Sequence, residues 1–402
     1  MDINARLLCV TSLPEAVEEL KRIGVEPYGI ESMAPKMMHV CIILDSIECR
    51  VANIIKQDML SLGGDAAVSR GSIDCSVPRT DAIIIGTFKQ VERFAQKLAL
   101  QPFGLKKLSE DIRKILVDIH NRNFLIRTSR RTIRIGRRTL VMGILNMTPD
   151  SFSDGGRLHS TDEGVRQAMR MAEDGADIID IGGESSRPGS EGVPLEVELE
   201  RVIPLIEALS GLIQVPVSID TTKAEVARRA IEAGAEIIND ISAMTADGRM
   251  TEVAVHYGAP VILMHMRGIP RTMQEGDLRY ASLRGEIISY LRSRMEDAVS
   301  RGVEPDKFIV DPGIGFGKDV SDNLKIIKYL KEFKTLGRPI LVGPSRKGFT
   351  GRITGVDIPQ ERLEGTAAAI TAAIINGADI VRVHDVKFMK RVSMMADAIA
   401  RA

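Results

Sequence analysis

Tryptophan is absent from this 402-residue chain, and aromatic residues make up only 4% of it. That scarcity argues against surfaces built to stack bases or sugar rings. Net charge is lacking too, because 54 basic residues meet 54 acidic ones. No overall field draws the chain toward nucleic acid or an anionic membrane, and neither is expected as a partner. No apolar run is long enough to span a bilayer, and Met1-Asp2-Ile3-Asn4 does not open a basic leader. A cytoplasmic protein is the expectation. Histidine is too sparse for a multi-histidine metal cage. Neither a Ser-His-Asp nor a Cys-His arrangement is apparent. The four cysteines, Cys9, Cys41, Cys49 and Cys75, have neither metal-knuckle nor Cys-x-x-Cys spacing. They read as reduced structural thiols.

What the chain does have is length for two domains and, from Leu140 onward, a recurring unit. Gly175-Ala176-Asp177-Ile178-Ile179 resembles Gly234-Ala235-Glu236-Ile237-Ile238, Gly258-Ala259-Pro260-Val261-Ile262 and Gly377-Ala378-Asp379-Ile380-Val381. Each glycine follows an amphipathic stretch, where a helix needs a residue of positive φ to stop. Each is followed by a short β-branched run of the kind buried on both faces of a parallel sheet. Eight strands are expected, at about 140–147, 177–182, 216–220, 236–240, 260–265, 308–312, 339–343 and 379–383. Eight parallel strands alternating with helices over residues 124–402 predict an α/β fold, a TIM (β/α)8 barrel with an entry hairpin. A doubly wound sheet fits less well, since no Gly-x-Gly-x-x-Gly turn follows the first strand.

A barrel of this kind works at the C-terminal ends of its strands. Those ends carry Asn146, Asp180, Asp220, Asn239, His265, Asp311, Ser345-Arg346-Lys347 and Arg382-Val383-His384. Any one could cap a helix. A polar group at all eight mouths instead predicts a small-molecule site. Asp220, Asn239, Asp311 and Lys347 suit a flat heterocycle whose edge mixes N–H donors with a carbonyl. Asn146, Arg187, Arg382 and His384 suit phosphate oxygens, with Asn146 a neutral oxygen ligand for Mg²⁺ on a diphosphate. Asp311-Pro312-Gly313-Ile314-Gly315-Phe316-Gly317-Lys318 lacks Walker spacing, so its glycines would let backbone approach a ligand. The helix start after Gly343-Pro344-Ser345-Arg346-Lys347-Gly348 could bind an anion such as a carboxylate.

Taken in order, these segments resemble dihydropteroate synthase. The matching stretches are Asn146 to Gly156, Asp180 to Gly189, Ser218-Ile219-Asp220-Thr221, Asn239-Asp240, Met264-His265-Met266, Asp311 to Lys318, Ser345-Arg346-Lys347 and Arg382 to Asp385. The resemblance implies condensation of 6-hydroxymethyl-7,8-dihydropterin diphosphate with p-aminobenzoate, giving 7,8-dihydropteroate and diphosphate. It implies that Asp220, Asn239, Asp311 and Lys347 hold the pterin, with Met264 lining its pocket. Arg187, Arg382 and His384 would bind the diphosphate, and Asn146 its Mg²⁺. Ser186, Pro188, Phe316 and Lys347 would border p-aminobenzoate. Lys347, Arg382, His384 and Arg187 would carry the catalysis, the Thr148–Gly156 loop would be a lid, and the family suggests a homodimer. The chain departs from the commonest pattern at Ser186, where Thr is frequent, at Arg267, where Gln is common, and at Gly348, where many members carry a hydroxyl. Two other readings are a pterin-binding methyltransfer module and a non-catalytic pterin-binding protein.

Residues 1–123 lie outside the resemblance and predict a smaller N-terminal α/β domain of unknown role. Strands are expected at 6–10, 38–44 and 82–86, and helices at 14–22, 50–62, 90–98 and 106–119. Gly63-Gly64-Asp65-Ala66-Ala67 reads as a turn. The following stretch, with Arg122, Arg127, Arg130, Arg131, Arg134, Arg137 and Arg138, alternates charge with Phe124, Ile126, Ile133 and Ile135. It predicts a hairpin across the bottom of the barrel.

Overall fold

The computed structural model describes residues 5–102, 104–148, 161–186 and 189–401. The backbone divides into two compact units, residues 1–117 and 118–402. The first unit opens with two helices, α1 (Leu13–Arg22) and α2 (Pro27–Met37). Ser12 caps α1 by accepting from the Glu15 amide. Ala16 and Leu20 of α1 pack on Ala34, Ile30 and Met37 of α2. Then follow β1 (His39–Glu48), α3 (Cys49–Ser61), β2 (Asp65–Val68), β3 (Arg79–Thr87), α4 (Phe88–Leu98) and α5 (Leu105–Asp118). The strands form an antiparallel sheet in the order β1-β3-β2. Ile42, Ala66 and Ile84 face Ile55, Met59, Phe94 and Ile112 of the helices.

Three expectations fail in this unit. Residues 6–10 form no strand, and Val10 packs against the α1–α2 pair instead. β2 follows directly on Gly63-Gly64, so the glycines turn the chain into a strand. A β-carbon at Gly64 would come within 2.9 Å of the Ile85 carbonyl, so that close approach needs glycine. Cys49 and Cys75 are not separate thiols, because they form a disulfide with Cα atoms 5.6 Å apart. The cause is the pairing of Glu48 with Arg79, which folds the 69–78 loop back over the start of α3.

The second unit starts with an antiparallel hairpin, β4 (Phe124–Arg127) and β5 (Thr132–Ile135). Eight parallel strands follow: β6 (Leu140–Asn146), β7 (Ile178–Gly182), β8 (Val217–Asp220), β9 (Ile237–Asp240), β10 (Val261–Met264), β11 (Phe308–Asp311), β12 (Leu341–Val342) and β13 (Ile380–Val383). They pair in sequence order from β6 to β11, with β13 between β12 and β6. A parallel bridge from Val310 to Ile340 joins β11 to the start of β12 and closes the ring. The eight-stranded barrel is therefore present. Its helices are α6 (Thr161–Glu173), α7 (Leu195–Leu209), α8 (Ala224–Ala233), α9 (Met250–Tyr257), α10 (Leu283–Ser300), α11 (Val320–Lys328), α12 (Gly348–Thr354), α13 (Leu363–Ile375) and α14 (Val386–Arg401). The helix-stop glycines 175, 234, 258 and 377 all take positive φ, as their recurrence requires.

The barrel's interior is filled at the bottom. Ile126, Ile133 and Ile135 of the hairpin join Met142, Ile178, Ile237, Ile262, Ile309, Leu341 and Ile380 in one buried layer. This plug leaves the opposite end as the open mouth. Glu236, 2% exposed, pins the hairpin by accepting from Thr128 Oγ1 and, at 2.9 and 3.1 Å, from Arg131. Glu236→Ala is expected to lower stability by about 2 kcal/mol, since three charge-assisted contacts, two of them from Arg131, lose their acceptor. Urea denaturation would read this loss, with kcat unchanged because the site lies at the other end.

Candidate active site

Strand register builds the rim. Asn146 pairs with Gly182, Gly182 with Asp220, and Asp220 with Asn239, so one cross-strand row runs over β6 to β9. Met264 pairs with Asp311 further round. A β-carbon at Gly182 would lie 3.6 Å from Asn146 Oδ1 and 3.7 Å from Asp220 Oδ2. The glycine thus leaves a space faced by two oxygens.

Arg382 reaches across from β13 and ties this row together. Its Nε donates to Asp180 Oδ2 at 2.6 Å, and its second nitrogen donates to Asp220 Oδ2 at 2.7 Å. Asp180 also accepts from the Asn239 amide at 3.0 Å and is wholly buried. Asp180 held a strand mouth in the sequence, with no role attached to it. Its neighbours show that it orients both the arginine and the asparagine.

The titrations follow from burial and crowding. Burial pushes Asp220 up to about 7, Arg382 pulls it back, and Asp180 and Glu198 push it further. Asp311 is raised to about 6 by burial, against the Gly313 amide that donates to it at 2.7 Å. Lys347 is held down to about 8 by burial and by Arg382. Its Nζ lies 4.0 Å from the centroid of the Phe316 ring, a cation–π contact. Met264 and Phe316 are buried in one small apolar cluster with Met273.

His384 stands at the end of β13, with Nδ1 3.0 Å from Ser345 Oγ, and its backbone N–H also donates to that oxygen. Ser186 is half-buried in the loop after β7. Arg187, Pro188 and residues 149–156 of the expected lid lie outside the described residues. The fold therefore brings together Asn146, Asp220, Asn239, Arg382, Asp311, Met264, Phe316 and Lys347.

Two further groups join residues of the quoted motifs, Glu184, His265 and Lys318, in contacts to which the sequence attached no role. Lys223 joins Glu184, in the loop after β7, to the buried Glu198 of α7. Lys318 is buried and donates to the carbonyls of His265 and Phe316 at 3.2 and 2.9 Å, with His265 Nδ1 at 3.0 Å. Burial lowers Lys318 to about 7, against Asp311 and Asp322, and while the lysine carries its proton it has no lone pair, so the His265 nitrogen accepts. Burial and the Lys318 charge hold that histidine down to about 3, which keeps it neutral.

A closed (β/α)8 barrel with carboxylates, an amide and cations converging on one mouth defines a small-molecule enzyme. A family model described as pterin binding enzyme matches residues 142–384. A dihydropteroate synthase of Synechocystis sp. is 51% identical over 266 residues, covering 66% of this chain and 92% of that one. The dihydropteroate synthase of Xanthomonas albilineans, solved with 4-aminobenzoic acid, superposes with a TM-score of 0.65 at 38% identity. That match covers 70% of this chain and 99% of that one. The chain belongs to the dihydropteroate synthase family, transferases of folate biosynthesis. A probable bifunctional folylpolyglutamate synthase/dihydropteroate synthase of Halobacterium salinarum is 41% identical over 380 residues. It is matched over 94% of this chain but only 45% of its own length, so that likeness reaches into the N-terminal unit. Among the described residues, no helix is long and apolar enough to cross a membrane.

Proposed function

We propose that the rim condenses 6-hydroxymethyl-7,8-dihydropterin diphosphate with p-aminobenzoate to give 7,8-dihydropteroate and diphosphate. The observation that carries this is the Arg382 bridge, which sets two carboxylates, an amide and a guanidinium side by side at the barrel mouth. Asp220 and Asp311 accept from the N–H edge of the pterin, while Asn239 reads its mixed edge and Lys347 donates to a ring acceptor. Met264 packs against the ring. Arg382, His384 and Arg187 receive the diphosphate. Phe316, with Ser186, Pro188 and Lys347, borders the aryl amine.

In the reaction the C–O bond to diphosphate breaks, and the pterin ring delocalises the positive charge left on the methylene. Positive side chains placed where the departing charge collects stabilise that transition state more than the ground state. The neutral amine then forms the C–N bond and releases one proton. It is nucleophilic as it stands, so no strong base is needed. Asn146 Oδ1, beside the space over Gly182, is a neutral oxygen that would help hold Mg²⁺ together with the diphosphate. When bound there, the ion would supply positive charge to the leaving diphosphate.

The test is purified protein with both substrates and Mg²⁺, following diphosphate and dihydropteroate together. Equimolar release supports the reading, and folded protein that makes neither product sinks it. A pH profile tests the roles of individual groups. Asp220 and Asp311 must be ionised to accept, so kcat/KM for the pterin substrate falls below about 7 and further below about 6. Lys347 must be protonated to donate, so kcat/KM falls again above about 8. A bell with its maximum between these limbs is expected in steady-state assays from pH 5 to 9.

We also infer a homodimer, because Phe388, Met394, Met395 and Ile399 leave α14 with an exposed apolar surface. Sedimentation velocity at micromolar concentration would overturn this if only monomer appeared.

A further inference from the structure

The loop after β11 is freer by composition than its position allows. Gly313, Gly315 and Gly317 all take left-handed φ, at 72°, 82° and 62°. Phe316 hangs between the last two of them. Flanked by residues with so little steric restraint, its ring has no fixed place from sequence alone. Yet three successive carbonyls of this loop are each held by a different side chain. Gln274 Nε2 donates to the Gly315 oxygen at 2.9 Å. Lys318 Nζ donates to the Phe316 oxygen at 2.9 Å. Tyr280 Oη donates to the Gly317 oxygen at 2.8 Å.

Gln274 and Tyr280 both come from the segment between β10 and α10. In the same segment Met273, 3% exposed, packs with Met264 and Phe316. The Pro270 carbonyl accepts from the Gly189 amide at 3.1 Å, so the segment also touches the loop after β7. The contact is close enough that a β-carbon at Gly317 would meet Arg267 backbone at 2.8 Å. One stretch of chain thus reaches both the β7 and β11 sides of the mouth while its apolar residue backs the ring.

We propose that residues 266–282 act as a clamp, with Gln274 and Tyr280 as positioning residues that fix the Phe316 ring against the aryl amine. The inference rests on the reading that Phe316 and Lys347 border p-aminobenzoate. The pterin is held by Asp220, Asn239, Asp311 and Lys347, whereas Gln274 and Tyr280 bond only to the backbone on either side of Phe316. The clamp should therefore act on one substrate and spare the other.

Tyr280→Phe removes one oxygen, and Gln274→Glu replaces the donor with an acceptor facing a carbonyl. Each is expected to raise KM for p-aminobenzoate about 5- to 10-fold, the scale of one neutral hydrogen bond. The double variant should lose about 30-fold or more. Binding of the pterin diphosphate without aryl amine, read by calorimetry, should stay within twofold, and so should the midpoint of urea denaturation. Gln274→Lys, which restores a donor, should recover most of the KM. An unchanged p-aminobenzoate KM in both single variants would overturn the clamp. So would an equal loss for both substrates, which means general damage to the site. A wild-type protein that makes no product would sink the functional reading instead, and the two failures are told apart by the wild-type assay alone.

Discussion

Arg382→Ala should lower kcat/KM by more than about 1000-fold and cost the barrel about 3–5 kcal/mol of stability. The two losses have one cause. Asp180 is fully buried and the Asp220 side chain is 12% exposed, and the same guanidinium answers both at 2.6 and 2.7 Å. Removing it leaves two carboxylates on neighbouring strands with no cation between them. Water does not reach Asp180 to screen it. A lone lysine cannot repair this, because one point charge does not fork between two acceptors. Arg382→Lys is expected to regain part of the stability and little of the activity. Adding Asp180→Asn to the alanine variant removes one stranded charge, so the pair should be more stable than Arg382→Ala alone. Urea denaturation and steady-state kinetics on the three variants decide the matter. Wild-type stability in Arg382→Ala would show that the bridge is not what holds these carboxylates in place.

The barrel was open to sequence reading because its signal is local and repeated. A glycine that must take positive φ, followed by a β-branched run, marks each junction without knowledge of any contact. Even the β12 strand, reduced to Leu341–Val342 between Pro339 and Pro344, falls inside its expected range. The hairpin was legible for the same reason, as its alternation places Ile126, Ile133 and Ile135 on one face. The N-terminal unit was less so. Its helix α2 starts favourably on Pro27 but holds Gly29 and Pro35 in its interior, residues that argue against a helix. Its packing on α1, α4 and β3 makes sense of it. The Cys49–Cys75 bond depends on a strand pairing that no cysteine spacing encodes.

The site divides in the same way. Residues at strand ends could be named in advance, because barrel topology alone sends them to one rim. What they do to each other could not. Asp180 and Arg382 are 202 residues apart in sequence and meet only once the ring has closed. Gln274 and Tyr280 lie in a stretch with no periodicity, and their partners are backbone carbonyls, which look alike in every sequence.

Lys347→Met should abolish measurable condensation, a loss of about 1000-fold or more, and yet leave the protein at least as stable at pH 7. The ammonium is asked to donate to the pterin and to border the aryl amine at once, so its removal strikes both substrates. A structural lysine would show the opposite pattern on stability. Burial and Arg382 hold this group down to about 8, below the usual lysine value near 10.5. The unfolded chain therefore binds the proton more tightly than the folded one between those two pH values. Stability contributed by this residue rises with pH across that window and is least below about 8. The methionine variant carries no such burden, so its advantage over wild type should be greatest near pH 7 and shrink toward pH 10. Thermal melting at pH 7 and pH 9 would show a narrowing gap. A variant that melts well below wild type at pH 7 would mean that Lys347 holds the loops together through its contact with Phe316 and its attraction to Asp311, and that its charge is not kept there at a cost for the sake of the reaction.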